Sequence, residues 1–449
     1  MQYQIFYLTE READITRLIL VDTNEGVAEQ DKAQVSAQGF AAKPGELAYV
    51  DGAVYVGYEF GCEKAAIAKA VTHLPEGHYS SEIKLPGSAY VVWSLAQYAY
   101  DTFVPANAPI KKLILPEELA DAVLAEASAI FMVRDLINAP ANHLGPEALS
   151  DAVKQLAKTH KAKFQEVKGE ALIKKNYPAI YAVGKGAQEA PRLAMLTWGN
   201  KAHPKVSLVG KGVTFDSGGL DIKPSRGMRL MKKDMGGAAH MIGLAHWMMS
   251  LKLPIYIELY IPAVENAVSR DAYRPGDVIT MRNGLTVEID NTDAEGRLIL
   301  ADALAHACEN KPDLLIDFAT LTGAARIAVG TEITAMFCNE DAFAEGVLKA
   351  SNEVEDPVWR MPLFQNYHTL FKSKIADMAN SSSSGYGGAI TAALFLERFV
   401  TDDIPWMHCD LMAWNVNSSP GKPEGGEAMG IQSVMHYLMQ RYSELAAVK

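Results

Sequence analysis

Residues 205–219 read Lys-Val-Ser-Leu-Val-Gly-Lys-Gly-Val-Thr-Phe-Asp-Ser-Gly-Gly, and this stretch decides the predicted fold. The first six residues form a short apolar run that is typical of a buried strand. The polar, glycine-rich segment behind them is typical of a loop, and a helical pattern over residues 237–250 follows it. Strand, loop and helix in this order are the repeating unit of an α/β sheet.

The same alternation recurs along the chain from about residue 176. It predicts an α/β fold in which a mixed sheet is flanked by helices. In such sheets the functional loops follow the carboxyl ends of the strands, which is where the polar segments of this chain fall. The predicted strands span residues 179–183, 192–197, 205–210, 255–263 and 314–319, and the predicted helices span 237–250, 298–308 and 389–399.

The first part of the chain is predicted to be a separate, smaller α/β domain. It alternates short β-rich runs with one helical pattern, and we find no combination of residues typical of a catalytic site in it. A connecting helix then begins at Pro116, a residue that suits the first helical turn, and runs through Arg134. We therefore expect an N-terminal accessory domain over residues 1–112 and a larger domain, which includes the connecting helix, over 113–449. The β-rich runs lie at 3–8, 17–22 and 53–58, and the helical pattern at 63–72.

The composition is that of a soluble globular protein. The chain has 449 residues, 49% of them apolar and 21% charged, which is enough for two or three domains. Its net charge of −12 argues against nucleic acid as the main partner, since binding phosphates needs clustered lysine and arginine. The N-terminus becomes charged too early for a signal peptide, no apolar run reaches the roughly 20 residues of a membrane span, and the four cysteines form no C-x-x-C pair. We therefore expect a cytoplasmic protein with free thiols and no membrane partner.

Two further polar segments carry acids on loops. Residues 291–298 read Asn-Thr-Asp-Ala-Glu-Gly-Arg-Leu, and residues 231–237 read Met-Lys-Lys-Asp-Met-Gly-Gly. With residue 216 they supply four loop carboxylates, whose convergence without cations would be opposed by mutual repulsion. The four acids are Asp216, Asp234, Asp293 and Glu295, and the basic residues beside them are Lys211 and Lys223.

Two divalent ions would remove this repulsion and could also act on a substrate. Oxygen ligands suit Mg²⁺ or Mn²⁺ by hardness, and Zn²⁺ also accepts carboxylates. The motifs of other hydrolase classes are absent from the chain: H-E-x-x-H, the G-x-x-x-x-G-K-[ST] phosphate loop and the G-x-S-x-G elbow. Only the joint pattern favours a metal site, because each residue alone has an ordinary explanation: a helix cap for Asp293, a turn for Asp216, a surface position for Lys211, Lys223 or Arg297, and a core position for Met231.

The joint pattern resembles the leucyl aminopeptidase, or cytosol aminopeptidase, family of dinuclear-metal peptidases. The resemblance extends from about Arg134 to about residue 440 and keeps the spacing of the site, whereas the N-terminal region resembles the accessory domain of that family only in position and α/β character. The octapeptide at 291–298 matches the family signature. The other matching segments are 209–224 and 228–239, which carry metal ligands in the family, together with 274–277 and 317–324.

This resemblance implies an aminopeptidase that removes N-terminal residues from peptides with two divalent ions per subunit (Mn²⁺, Zn²⁺ or Mg²⁺). It implies that a hydroxide bridging the ions attacks the peptide carbonyl, that Lys223 stabilises the tetrahedral intermediate, and that Arg297 holds a bicarbonate acting as general base. It further implies a homohexamer. The implied metal ligands are Lys211 as a neutral amine, Asp216, Asp234, Asp293 and Glu295, of which Asp216 and Glu295 bridge the ions, and the implied pocket for the first side chain is formed by Met231, Thr320 and Gly323.

One segment departs from the family pattern. Residues 408–415, His-Cys-Asp-Leu-Met-Ala-Trp-Asn, and residues 421–427, Gly-Lys-Pro-Glu-Gly-Gly-Glu, differ from the H-x-D-x-A-G pattern associated with the family. The segment belongs near the specificity side of the pocket, so the exact first-residue preference is left open. The three pocket residues offer no cation, and we therefore expect Leu or Met to be released better than Asp or Glu.

Three other functions fit parts of the pattern. A DNA-binding accessory role is known in the family, but the acidic balance of this chain disfavours it, and a gel shift with salt titration would detect it. A dinuclear phosphohydrolase would use a similar metal pair, and peptide against phosphoester assays would separate the two. A catalytically inactive binding protein is disfavoured by the intact set of metal and catalytic residues.

Overall fold

The computed structural model of the chain describes residues 2–9, 14–401 and 403–447. The chain folds as two compact units. The first extends to Met132 and also includes Asn415–Glu424, and the second comprises Val133–Trp414 and the residues from Gly425 onward. The division falls inside one long helix, Glu117–Asn138. The domain boundary expected near residue 112, before this helix, stays a prediction.

The first unit is built on a six-stranded sheet. Its strands are β1 (Tyr7–Leu8), β2 (Ile15–Val21), β3 (Leu47–Val50), β4 (Ala53–Gly57), β5 (Gly77–Ser81) and β6 (Lys111–Ile114), and its helices are α1 (Lys32–Ala37), α2 (Glu63–Val71) and α3 (Gly87–Leu95), with 3₁₀ turns at Gln2–Phe6 and Asn24–Gly26. The strand order is β1-β6-β5-β2-β4-β3, in which only the edge strand β3 runs antiparallel to its neighbour. The long helix Glu117–Asn138 is α4.

The second unit contains the larger set of elements. Its helices are α5 (Pro146–Thr159), α6 (Ala171–Lys174), α7 (Pro178–Gly184), α8 (Ser225–Met228), α9 (Gly236–Ser250), α10 (Glu295–Glu309), α11 (Gly323–Val329), α12 (Asp341–Val354), α13 (Gly388–Glu397) and α14 (Ile431–Ala447), with 3₁₀ turns at Met231–Met235 and Gln365–Leu370. Its strands are β7 (Lys163–Lys168), β8 (Arg192–Gly199), β9 (Lys205–Gly210), β10 (Gly212–Asp216), β11 (Tyr256–Asn266), β12 (Val278–Thr280), β13 (Thr286–Glu288), β14 (Leu314–Ala319), β15 (Thr334–Cys338), β16 (Val358–Arg360), β17 (Met378–Ala379), β18 (Trp406–Asp410), β19 (Trp414–Asn415) and β20 (Gly425–Gly426).

Nine of these strands form one large mixed sheet in the order β16-β15-β18-β14-β9-β11-β8-β7, with β10 paired to β11. The four central strands β18, β14, β9 and β11 run parallel, whereas β15, β8 and β7 are antiparallel to their inner neighbours. Apolar residues of the sheet such as Val209 and Leu315 share one core with Ile299 and Leu304 of α10. The predicted α/β class, with a mixed sheet and flanking helices, is what the structure contains.

Two predicted strands differ in the structure. Residues 179–183 lie in α7, because Pro178 suits a first helical turn and the Asp302 carboxylate accepts hydrogen bonds from the N–H groups of Ala179 (2.8 Å) and Ile180 (3.2 Å). A short apolar run alone cannot tell a buried helix from a strand. Residues 3–8 form mainly the 3₁₀ turn Gln2–Phe6 ahead of β1. The other strands and helices predicted in the second unit are confirmed to within three residues at each end.

Two sequence expectations about the environment of the chain can be compared with the structure. All four cysteines are free thiols, as expected. Among the helices of the described residues, none combines the length and the apolar character that crossing a membrane would require.

Candidate active site

Four parallel strands end at the same edge of the large sheet, and polar residues stand at each end. Lys211 comes directly after β9, Thr320 directly after β14, and Asn266 and Asp410 are the last residues of β11 and β18. Carboxyl ends of neighbouring parallel strands meet at one edge of a sheet. Polar side chains from distant parts of the sequence are therefore gathered there.

Glycines let α9 approach this edge closely. A Cβ on Gly237 would lie 2.0 Å from the carbonyl oxygen of Phe318 in β14, and a Cβ on Gly210 would lie 2.6 Å from the helix backbone. The start of α9 therefore packs directly on β9 and β14. This packing brings Asp234, in the 3₁₀ turn ahead of the helix, beside Lys211.

Two loops that carry acids are joined by Thr292 and Asp221. The backbone N–H of Thr292 donates to Asp221 Oδ2 (2.7 Å), and the backbone N–H of Asp221 donates to Thr292 Oγ1 (2.8 Å). The Thr292 hydroxyl also donates to the carbonyl oxygen of Gly218 (2.7 Å), whose φ of +88° favours glycine. These bonds hold the loop after Asp216 against the loop that contains Asp293.

Lys211 lies between two acids from different elements, Asp234 of the 3₁₀ turn before α9 and Glu295 of the first turn of α10. Its Nζ is 2.7 Å from Asp234 Oδ2 and 2.9 Å from Glu295 Oε1, and its side chain is only 3% exposed. A Cβ on Gly296 would lie 2.3 Å from Cε of Lys211, so a larger residue after Glu295 would displace the end of this lysine from its position between the two acids. Burial opposes the charge of Lys211, but the neighbouring carboxylates outweigh burial and raise the pKa of this lysine.

Lys223 connects the other two acids. Its Nζ is 2.8 Å from Asp216 Oδ2 and 2.5 Å from Asp293 Oδ1. Asp216 Oδ1 accepts hydrogen bonds from the side-chain amide of Asn266 (2.8 Å) and the N–H of Gly218 (2.8 Å), which fixes this carboxylate. Burial opposes the charge of Lys223, but the two acids raise its pKa, so the ammonium form is kept at neutral pH.

The carboxylates are held together at an electrostatic cost. Burial is the largest cause that raises the pKa of Glu295 to about 8, and the charge of Asp216 adds to it. Burial, again with Asp216, raises the pKa of Asp293 to about 6. The two lysines therefore offset only part of the repulsion among the four acids, and further positive charge would stabilise the cluster.

The residues present fit a metal site. One oxygen from each of Asp216, Asp293 and Glu295 lies within 4.8 Å of the others. Oε2 of Glu295 is buried and has no hydrogen-bond partner within the described part of the chain. Asp234 adds a fourth carboxylate on the far side of Lys211. Hard divalent cations prefer such oxygen-rich donor sets.

A single cavity of about 480 Å³ is lined by all ten residues singled out in the sequence: Lys211, Asp216, Lys223, Met231, Asp234, Asp293, Glu295, Arg297, Thr320 and Gly323. The Thr320 hydroxyl donates to Asp234 Oδ1 (2.8 Å), which links the expected pocket for the first side chain to the acid cluster. The structure thus brings every candidate residue to one place, while the role of each stays a prediction.

Arg297 stands in the first turn of α10 and keeps a free donor. Its Nη1 donates to the carbonyl oxygen of Asn380 (2.9 Å), whereas its Nε is buried without a hydrogen-bond partner among the described residues. Burial lowers the pKa of Arg297 to about 10, which leaves the guanidinium charged at neutral pH. A charged donor at a helix start suits a small anion.

Sequence reasoning missed two basic residues in the same cavity, Lys233 and Arg326. The available signal for Lys233 was a second lysine in the otherwise apolar turn before Asp234, and no sequence pattern marked Arg326. The serine-rich segment at 380–388 also lines the cavity, through Ser381, Ser382 and Ser384.

In the segment that departs from the family pattern, His408 and Asp410 contact neighbouring residues of the fold, and Ala413 has an unusual backbone conformation. His408 Nδ1 lies 2.6 Å from Asp317 Oδ1, and Asp410 accepts a hydrogen bond from the N–H of Thr322 (3.1 Å). Ala413 occupies the glycine position of the H-x-D-x-A-G pattern and has a φ of +56°. The departure therefore places an L residue in the left-handed region, which costs conformational energy.

A comparison with known protein families decides the assignment. The family model described as the cytosol aminopeptidase family, catalytic domain, matches residues 131–435. The chain belongs to the cytosol aminopeptidase family. The resemblance found in the sequence is therefore confirmed, and so, at the level of the family, is the expected enzyme class of metallo-aminopeptidases.

Individual relatives agree with this assignment. The probable cytosol aminopeptidase of Rhodococcus opacus is 43% identical over 297 residues, which cover 66% of this chain and 59% of that protein. The probable cytosol aminopeptidase of Syntrophotalea carbinolica is 39% identical over 365 residues, which cover 77% of this chain and 73% of that protein. The chain thus matches less than two thirds of the length of the Rhodococcus relative.

Solved structures with the same fold cover nearly the whole chain. The crystal structure of the cytosol aminopeptidase from Coxiella burnetii has a TM-score of 0.93 and 43% identity, and covers 97% of this chain and 99% of its own. The bottromycin maturation enzyme BotP in complex with Mn has a TM-score of 0.86 and 32% identity, and covers 96% of this chain and 100% of its own. The predicted fold class is confirmed by this similarity.

Proposed function

We propose that this chain is a dinuclear metal-dependent aminopeptidase that hydrolyses the N-terminal peptide bond of peptides. The observation that carries the proposal is the meeting of four carboxylates, Lys223 and Arg297 in one cavity of a chain that belongs to the cytosol aminopeptidase family.

Two divalent ions would be held by the acids and one lysine. When bound, such ions polarise the scissile carbonyl and lower the pKa of a water molecule, which becomes the nucleophile. Mn²⁺, Zn²⁺ and Mg²⁺ all fit carboxylate donors, and the similarity to BotP, described in complex with Mn, favours Mn²⁺. The residues that would hold the ions are Lys211, as a neutral amine because a dication disfavours its proton, with Asp216, Asp234, Asp293 and Glu295.

Lys223 would stabilise the oxygen of the scissile carbonyl as negative charge develops on it. Its raised pKa supports this role, because a permanently charged donor needs no proton before it acts. Its side chain is 15% exposed, against 3% for Lys211, which leaves it more accessible to a substrate.

Arg297 would hold a bicarbonate that acts as general base. The buried Nε without a partner in the described residues and the position of Arg297 at a helix start both support an anion there. The role of the arginine would be to orient the base toward the acid cluster, since Arg297 and Glu295 line the same cavity.

The first side chain of the peptide would enter the part of the cavity formed by Met231, Thr320 and Gly323. Met231 is 9% and Thr320 is 3% exposed, so these two walls exclude water from an apolar side chain. Gly323 adds no side chain that would narrow the space. We propose that Leu and Met are good first residues for this reason.

Location and assembly are proposed from the family alone. The relatives are named cytosol aminopeptidases, which supports a cytoplasmic location. We also propose a homohexamer, and light scattering on the purified protein would measure its mass directly. Nucleic acid is not among the proposed partners, because the chain carries a net charge of −12.

The experiment that tests the proposed reaction compares peptide and phosphoester substrates. The protein is freed of metal with a chelator, supplied with Mn²⁺, Zn²⁺ or Mg²⁺, and assayed with leucinamide, Leu-Gly and bis(p-nitrophenyl) phosphate. Release of leucine without phosphoester cleavage is expected. Phosphoester cleavage without release of leucine would replace the aminopeptidase by a dinuclear phosphohydrolase.

A further inference from the structure

A lysine without a partner lies in the wall of the substrate cavity. Lys233 is 1% exposed, and its Nζ has no hydrogen-bond partner in the part of the chain that the structure describes. Taking an ammonium group out of water without a hydrogen-bond partner is costly. The position of Lys233 is therefore not explained by the packing of this unit alone.

Burial, followed by the charge of Arg326, lowers the pKa of Lys233 to about 7, and the two acids that attract this lysine, Asp234 and Asp410, already have other partners. Asp234 Oδ2 lies 2.7 Å from Nζ of Lys211, and Asp234 Oδ1 accepts a hydrogen bond from the Thr320 hydroxyl (2.8 Å). The Asp410 carboxylate accepts two backbone hydrogen bonds, from Leu321 (2.9 Å) and Thr322 (3.1 Å), and one from the Thr322 hydroxyl (2.6 Å).

A second basic residue, Arg326, lines the same cavity. Arg326 lines the cavity next to Gly323, where an added Cβ would lie 3.5 Å from Nη2 of the arginine. Among the described residues the structure records no ion pair for this guanidinium. Gly323 belongs to the proposed pocket for the first side chain, so the basic residues Arg326 and Lys233 border that pocket.

We propose that the pocket accepts a second class of first residues, those with a carboxylate side chain, and that Lys233 and Arg326 are the specificity-determining residues for them. This inference rests on the proposed aminopeptidase function. The expectation that Asp and Glu are released poorly was argued from Met231, Thr320 and Gly323, which carry no cation. Arg326 supplies the missing positive charge, and Lys233 supplies a buried donor that has no partner among the described residues, so a bound carboxylate is paired where it would otherwise be buried alone.

The test measures kcat and KM of the metal-loaded enzyme with leucinamide and with the α-amide of glutamate, and the inhibition constants of free leucine and free glutamate. The variants are Lys233→Met and Arg326→Gln, and the matched control is Arg270→Gln, whose side chain is 92% exposed. Metal content is measured for each variant, because Lys233 neighbours Asp234. If Lys233→Met loses metal, Arg326→Gln decides the outcome.

In the wild type, kcat/KM for the glutamate amide is expected within about tenfold of that for leucinamide. Each pocket variant should lower the glutamate value by about thirty-fold or more, the scale for truncating one partner of a buried charge pair. The loss should appear mainly in KM and in the inhibition constant of glutamate, with the leucine values kept within about threefold and the control unchanged.

Two outcomes would overturn the proposal. One is a wild type that hydrolyses leucinamide but cleaves the glutamate amide more than about a thousandfold more slowly. The other is a pair of variants that lower both substrates equally, which indicates a structural role. If neither amide is hydrolysed, the proposed aminopeptidase function is wrong, and the binding of free glutamate, measured by calorimetry, tests the site by itself. Binding of glutamate that both variants weaken would support the site. No binding of glutamate would contradict it.

Discussion

Nζ of Lys223 lies 2.5 Å from Oδ1 of Asp293, although the two residues are seventy positions apart in the sequence. The contact joins a cation proposed to face the substrate with an acid proposed to bind an ion. Lys223 would be released toward the substrate when Asp293 gains another positive partner. The roles of the two residues can therefore be separated by measuring metal content and turnover in the same variants.

Replacing Lys223 by alanine should slow the reaction without removing the ions. We expect kcat to fall by roughly 10²–10³, the usual effect of removing one donor to a developing oxyanion. Metal content measured by mass spectrometry should match the wild type. A Lys223→Ala enzyme with full metal and wild-type turnover would show that this lysine has no part in the reaction.

Replacing Arg297 by alanine should have a smaller effect than the Lys223 change. Water or buffer can take over part of the role of a bicarbonate base, whereas nothing replaces a fixed oxyanion donor. The decisive measurement is kcat with and without added bicarbonate. Wild type should respond to bicarbonate and Arg297→Ala should not. If bicarbonate changes kcat of both enzymes equally, Arg297 does not hold the bicarbonate.

The motif residues were the part of the site that the sequence predicted best. Strands β9 and β14 begin and end where the sequence placed them, because each is a short β-rich run. The ten candidate residues lie at the ends of strands, in the loops and turns that follow them, or in the first turn of a helix, so their convergence follows from the parallel sheet.

Features that depend on a distant partner were not predictable. Residues 179–183 became helical because Asp302, far along the chain, accepts hydrogen bonds from that turn. Lys233 and Arg326 could not be assigned to the cavity, because a single basic residue is usually on the surface and only the packing of α9 and α11 brings these two to its wall.

Ala413→Gly should stabilise the protein. Ala413 has a φ of +56°, where glycine carries no steric penalty, so the free energy of unfolding should rise by about 1 kcal/mol. Ala152→Gly, inside helix α5, is the matched control and should lower it by about 1 kcal/mol. Urea unfolding of both variants provides the comparison. A loss of stability in Ala413→Gly would contradict this prediction. It would mean that the packing of the Ala413 methyl group stabilises the fold by more than the strained backbone destabilises it.

The buried pair of His408 and Asp317 should make stability depend on pH. Burial opposes the charge of His408, but Asp317 at 2.6 Å outweighs it and raises the pKa of the histidine. A pKa raised by folding adds stability that is complete below the unfolded value of about 6.5 and is lost as pH rises through the folded value. The thermal midpoint of His408→Gln should therefore fall further below wild type at about pH 6 than at about pH 9. If the difference in thermal midpoint between wild type and His408→Gln is the same at both pH values, His408 is not charged in the folded protein.

The central claim is that the acid cluster holds two ions on which hydrolysis depends, and a metal titration tests it most directly. The protein is stripped with a chelator and titrated with Mn²⁺, while bound metal and leucinamide hydrolysis are measured on the same samples. Activity should be absent without metal and should reach its maximum at two ions per chain, as expected for a dinuclear site. Asp293→Ala should bind less metal and stay inactive, and Asp271→Asn, whose side chain is 64% exposed, should behave as wild type. Full hydrolysis by metal-free protein, or two ions and normal turnover in Asp293→Ala, would contradict the account.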